Sequence, residues 1–457
     1  MITAIDPTYD TVIREVMPAD QDEIERILSR AEQAYQSWRK TDFSARAEVL
    51  NAVAHRLRED RARLAYLMTE EMGKPVKEAY GEIEKAAWCA EHYAAHAESY
   101  LSRDEISSDA SLSYVQYLPL GPIMGILPWN APFWLAFRFC APVLMAGNTC
   151  VMKHDPHVPG CAQAIAQLFG DAGAPSAILQ NLPLRNEDAE SVIRDDRIRG
   201  ISFTGSDKAG ATVAAIAASE IKPAVLELGG SDPNIVLADA DLAKAAEIIA
   251  LSRIINAGQS CIAAKRIIVE APVHDAFVAL LKERLSGYKL GDPREQSTDV
   301  GPLARDDLRQ GLHRQVQDTI KAGATCLLGG DMPDGPGFFY PVTLLTDVTS
   351  DMAAGCEETF GPVAVVMKAR DADHAIEIAN DTRYGLGAAV WTETSRGEAI
   401  AREIIAGQVS VNGIVKTDPR LPSGGVRRSG YGRELGPQGI HEFVNAQQIW
   451  IGPAKAL

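Results

Sequence analysis

From about residue 112 the chain repeats one pattern, a short apolar run followed by an amphipathic helical stretch. The runs SYVQYLPL, IMGILP, TCVMK, GISFTG, AVLELGG and NIVLA are interleaved with helical periodicity near 134–145, 159–172 and 206–218. Strands separated by helices cannot close through tight hairpins. They need crossover connections, and so an α/β fold with a largely parallel sheet covered on both faces. A second series runs through helices near 241–256, 273–285 and 304–322 and the runs RIIVE, ATCLLGG, VAVVMKA, AAVWT and QVSVNG. Residues 19–101 differ: apolar positions recur at three and four with few breakers, which predicts almost continuous helix. At 457 residues the chain exceeds one core and suits two or three packed domains.

Charge and cysteine usage exclude several function classes. Lys+Arg 45 against Asp+Glu 61 gives a net charge of −16, which argues against nucleic acid or an anionic membrane as partner. No apolar run reaches membrane-spanning length, and the N-terminus lacks the basic-then-apolar pattern of a secretory signal. Seven scattered cysteines without a CxxC pair fit free thiols in a reducing cytoplasm. His92 and His96 would share a helix face, but no third ligand is indicated; a solvated face is expected and no metal.

Five stretches carry chemistry. In NAGQSCIAAKR, Cys261 stands at a loop-to-strand junction, where a scaffold presents a reactive side chain, and not inside the apolar run. In AVLELGGSDPNIV, Glu227 interrupts an apolar strand before a Gly-Gly turn. A carboxylate there is hydrogen-bonded to a nearby turn or carries a raised pKa and serves as a general base. In GILPWNAPFW, Asn130 ends a strand before a helix, as an N-cap or as an amide donor to a developing oxyanion. In ISFTGSDKAGATV, Thr204-Gly205-Ser206 lead from strand to helix, an anion-binding arrangement without the GxGxxG fingerprint. EETFGPV and the glycine-rich SGGVRRSGYGRE complete the set.

Taken together, PWN (128–130), GNTCVMK (147–153), FTGS (203–206), LELGG (226–230), GQSC (258–261), EETFGPV (357–363) and SGYGRE (429–434) resemble the aldehyde dehydrogenase superfamily in order and spacing. Lys153-His154 and LELGGSDP make the chain most similar to the bacterial succinate-semialdehyde dehydrogenases within it. The resemblance implies a Rossmann-like cofactor domain (1–111 and 125–228), an α/β catalytic domain (229–420) and a small β oligomerisation arm (112–124 and 436–457) that pairs subunits into a homodimer or homotetramer. Cys261 becomes the nucleophile, Asn130 the oxyanion donor and Glu227 the base for thioester hydrolysis. Trp129, Lys153, Pro156, Thr204, Gly205, Ser206, Leu228, Glu358 and Phe360 are the implied cofactor residues. Where relatives often carry a glutamate that repels a 2′-phosphate, this chain has Pro156, so NADP is expected with NAD tolerated; the adjacent Asp155 counts against that preference.

The implied substrate is a small aldehyde with a terminal carboxylate, most simply succinic semialdehyde, bound through Arg138 and Trp134. A second arginine of some relatives is Ile255 here, and the loop KTDPR (416–420) offers Thr417 or Arg420 in its place. Two further departures stand out: Ser423 replaces a packing phenylalanine, and Ala263 replaces a second cysteine, so no redox latch is expected. The alternatives are dehydrogenation of another aliphatic or aromatic aldehyde, a non-redox thiol esterase using the same Cys261 and Glu227, or a binding protein with a dead site. The FTGS helix start and Lys153 favour a dinucleotide enzyme.

Overall fold

Two edges of the polypeptide frame the architecture: a helical N-terminal segment and an alternating remainder. The computed structural model describes residues 1–453. A hairpin, Ile2–Asp6 with Thr11–Val16, precedes the helices Gln21–Trp38, Phe43–Glu59, Arg61–Met72 and Val76–Tyr100. Asp20 and Asp42 cap the first two, each accepting a backbone N–H, from Glu23 and Ala45, at 2.8 Å. The third helix stops at Gly73, at φ +77°, where a Cβ would lie 2.8 Å from the Pro302 ring; both the backbone angle and the space demand glycine.

A six-stranded sheet runs in the order Gly430–Tyr431, Ala224–Glu227, Gly200–Thr204, Pro122–Leu127, Thr149–His154, Leu179–Asn181. All pairs are parallel except the first. The chain leaves Pro122–Leu127 towards one edge, then returns to its other side through Gly200–Thr204. That reversal opens a crevice at the carboxyl ends of the strands, where ligands of doubly wound sheets bind. The helices Pro132–Met145 and Pro159–Asp171 cover one face and Gln21–Trp38 the other, each over its own apolar core.

The second sheet has seven strands, ordered Thr325–Leu328, Thr343–Thr346, Val363–Ala369, Arg266–Glu270, Pro233–Val236, Gly387–Trp391, Gln408–Val411. It is parallel apart from its first pair and is filled largely by Val, Ile, Leu and Ala, the near-continuous apolar content of a sheet buried on both faces. Leu179–Asn181 and Thr343–Thr346, too short for a pattern of their own, are strands the periodicity did not announce.

A three-stranded antiparallel sheet of Val444–Ile451, Leu112–Pro119 and Asp104–Glu105 stands apart from both. It corrects the expected limits of the arm. Residues 122–124 belong to the six-stranded sheet, and the helix Gly436–His441 docks on Val76–Tyr100, with Tyr93 donating to the Gly436 carbonyl at 3.0 Å. Residues 454–457 of that expectation lie outside the described residues. His92 is buried, not solvated: its ring packs against Tyr93, His96 and Tyr100. No helix among the described residues is long and apolar enough to cross a membrane.

Candidate active site

A cavity of about 980 Å³ opens at the carboxyl edge of the six-stranded sheet, and Asn130, Lys153, Thr204, Glu227, Cys261 and Glu358 all line it. Cys261 reaches it from a loop with a strained entry. Asn256 (φ 56°), Ala257 (φ 52°) and Gly258 (φ 72°) are consecutive left-handed residues. Asparagine tolerates that region, but an alanine there costs about 1–2 kcal/mol. A Cβ at Gly258 would sit 2.3 Å from the Gly361 carbonyl oxygen, so the glycine of GQSC is fixed by backbone-to-backbone approach. Buried groups hold the turn: Arg253 donates to the Gly258 carbonyl at 2.7 Å, and Lys265 Nζ to the Ser260 and Cys261 carbonyls at 2.9 and 2.5 Å.

Burial pushes the Cys261 thiol up to about 12, with Lys265 and Arg138 pulling the other way. The resting sulfur therefore carries its proton, and attack requires a base. Asn130 Nδ2 has two hydrogens; one is donated to the Gln259 carbonyl at 3.0 Å, and the other is uncommitted. The Cys261 backbone N–H has no acceptor among the described residues. Two donors thus remain available beside the sulfur. Asn256 clamps this corner, donating to the carbonyls of Asn130 and Gln259 at 2.8 and 3.2 Å.

Glu227 ends its strand fully enclosed. Burial pushes its carboxyl up to about 7, against the pull of Arg138. Arg138 Nη2 lies 3.2 Å from Glu227 Oε2, 2.5 Å from Glu434 Oε2 and 3.4 Å from Ser423 Oγ. Glu227 Oε1 has no hydrogen-bond partner among the described residues. A Cβ at Gly424 would come within 2.8 Å of that oxygen, so the glycine leaves it open. Ser423 is more than a missing phenylalanine: its hydroxyl joins the Arg138 network.

At the other end the cavity fits a dinucleotide. Ser206 caps the helix Asp207–Ser219, its Oγ accepting the Ala209 N–H at 3.3 Å, and Thr204 Oγ1 is buried without a partner. Lys153 is 2% exposed, and its Nζ meets Asn186 Oδ1 at 2.5 Å without a carboxylate within ion-pair distance among the described residues. An unanswered ammonium near a helix N-terminus suits a phosphate and ribose ligand. Trp129 and Phe360 meet edge to face at 5.9 Å. Glu358 accepts the Gly230 N–H at 3.1 Å and pairs with Lys265 at 3.2 Å; a Cβ at Gly229 would lie 2.2 Å from its carboxylate. The Gly-Gly turn of LELGG exists for that approach. His154 explains the Lys-His pair: its Nδ1 accepts the Asp155 N–H at 2.9 Å, which leaves Nε2 to donate to the Pro132 carbonyl at 3.1 Å.

Two expected residues fall outside. Pro156 does not line the cavity; Asp155 does, with its carboxylate held by the His157 ring and backbone N–H. Arg420 is exposed, pairing with Asp418 and lying 5.4 Å over the Trp88 ring, because its short-range partner outcompetes the reach inward. Trp134, Leu228, Gly205 and Thr417 all line the cavity. Sequence reasoning missed Lys85, and it missed that Ser423 and Glu434, noted only as a departure and as the end of a motif, meet Arg138 from a distant part of the chain.

The aldehyde dehydrogenase family model matches residues 1–449. The chain belongs to the aldehyde dehydrogenase family. This aldehyde dehydrogenase is 45% identical over 451 residues to a probable succinate-semialdehyde dehydrogenase [NADP(+)] of Synechocystis sp., covering 98% of this chain and 99% of that protein. It is 44% identical over 460 residues to the succinate-semialdehyde dehydrogenase [NADP(+)] of Mycolicibacterium paratuberculosis, covering 100% and 98%. A crystal structure of succinic semialdehyde dehydrogenase from Streptococcus pyogenes in complex with NADP+ superposes with a TM-score of 0.97 at 35% identity, covering 99% of this chain and 100% of that one.

Proposed function

We propose that this aldehyde dehydrogenase oxidises succinic semialdehyde to succinate, with NADP preferred as hydride acceptor and NAD tolerated. The observation that carries the chemistry is the convergence of Cys261, Glu227 and Asn130 on one cavity that also holds the Thr204–Ser206 helix start. The Cys261 sulfur gives up its proton to solvent and adds to the aldehyde carbon. The uncommitted Asn130 N–H and the Cys261 backbone N–H receive the resulting oxyanion, each worth about 2.7–4 kcal/mol. A bound nicotinamide would supply the hydride acceptor, after which Cys261 carries the acyl group as a thioester. Glu227, whose carboxyl burial pushes up, removes a proton from the attacking water when ionised. Hydrolysis releases the acid and returns the proton to sulfur.

The names of the relatives support the substrate and the cofactor. Lys153 without a counter-ion supports NADP, as does an Asp155 whose charge is answered by His157. Arg138 remains at the substrate end with its Nε unpartnered, able to donate one bond to the substrate, although two carboxylates already answer its charge. A panel of short aldehydes with both cofactors, read as kcat/KM, tests the reading. Succinic semialdehyde with NADP should lead it; a higher value for butanal or benzaldehyde removes the substrate proposal, and a lower KM for NAD removes the cofactor proposal.

We also propose a homodimer or dimer of dimers in the cytoplasm. Val444–Ile451 is an edge strand carrying exposed Trp450 and Ile451, an aggregation hazard unless paired. Light scattering giving only monomer at micromolar concentration would refute it.

A further inference from the structure

The substrate end of the cavity contains an ammonium with no counter-ion among the described residues. Lys85, on the helix Val76–Tyr100, reaches the cavity between Trp134 and Thr417. Its Nζ lies 4.2 Å from the Trp134 ring centroid and donates to Thr417 Oγ1 at 2.7 Å. An ammonium has three donors, so two remain. The carboxylates around it are committed elsewhere. Glu82 pairs with Lys74 and accepts the Phe133 and Trp134 N–H groups at 2.9 and 3.1 Å. Asp418 is held by Arg420 at 2.6 Å. The other charge facing Lys85 is Arg138, of like sign, and burial already pulls the lysine down to about 8. Ile255, on the lining, supplies no charge.

A partly desolvated cation without a partner is costly unless an anion arrives. Arg138 presents no such vacancy, because Glu434 and Glu227 flank it. Resting on the reading of a carboxylated aldehyde, we propose that Lys85, oriented by the Thr417 hydroxyl, is the ion-pair partner of the substrate's terminal carboxylate and sets the preference for it over uncharged aldehydes. The role expected of Arg420 then falls to a residue from the N-terminal helical segment.

The test is the ratio of kcat/KM for succinic semialdehyde to that for butanal in the wild type, Lys85→Gln, Lys85→Arg and Lys85→Glu, with NADP binding by tryptophan fluorescence confirming the fold. In Lys85→Gln the ratio should fall roughly tenfold to a hundredfold. Lys85→Arg should restore most of it, and Lys85→Glu should shift preference towards an aldehyde with a terminal ammonium. Equal losses for both aldehydes, or an unchanged ratio, overturn the assignment of Lys85 and leave the substrate reading standing. A wild type that does not favour the carboxylated aldehyde removes the substrate reading, and the assignment with it.

Discussion

The two ends of the cavity are built differently. At the cofactor end, the groups come from short contiguous stretches at strand ends: Trp129 follows its strand, Lys153 is the next-to-last residue of another, and Thr204-Gly205-Ser206 run from a strand's last residue into a helix. At the substrate end, Lys85 and Arg138 come from two separate helices and Thr417, Ser423 and Glu434 from C-terminal loops, where Ser423 and Glu434 also exchange backbone hydrogen bonds at 2.7 and 2.8 Å. The first end is shaped mainly by strand ends and glycine turns, with the buried Lys153 ammonium as its charge. The second carries compensated and uncompensated charge, so single substitutions there are expected to redirect specificity. Cys261 and Glu227 sit at the join.

The comparison can be broken first at that join. Cys261→Ala should lower turnover by about 10⁴-fold or more while NADP binding persists; oxidation retained by the folded variant would end the covalent mechanism. Glu227→Gln should cost roughly 10²–10⁴ in steady-state rate yet spare hydride transfer, so stopped-flow traces should show a burst of reduced cofactor followed by slow turnover. A trace with no burst and no trapped thioester would place Glu227 elsewhere in the reaction.

Arg138→Ala sharpens the electrostatic half. Wild-type activity should rise as pH increases through about 7, where Glu227 loses its proton and becomes a base. Removing the arginine takes a positive neighbour from that carboxylate, so its proton is held more tightly and the rising limb moves to higher pH by about one unit or more. Both succinic semialdehyde and butanal should suffer; an unmoved limb would mean that Arg138 does not tune Glu227. The smallest effect belongs to the cofactor end. Lys153→Ala should raise KM for NADP about tenfold and KM for NAD less; equal increases would assign Lys153 to the ribose common to both.

The helices of residues 19–101, the alternation beyond them and the Cys261, Glu227 and Asn130 motifs were legible because each rests on near neighbours: periodicity, a strand end, a glycine turn. Pro156 and Arg420 misled for the converse reason. Proximity in sequence to Lys153 or Thr417 says nothing about which way a loop side chain points, and Asp418 captures Arg420 outside the cavity. Local order therefore determined the fold class and the placement of the candidate nucleophile and candidate cofactor turn. Tertiary structure alone decided that Glu227 is tuned by Arg138 and Glu434, that Ser423 joins them, and that Lys85 reaches the cavity on Thr417 without a carboxylate partner among the described residues. Charge compensation is a sum over everything nearby in space, and the linear chain does not carry that sum.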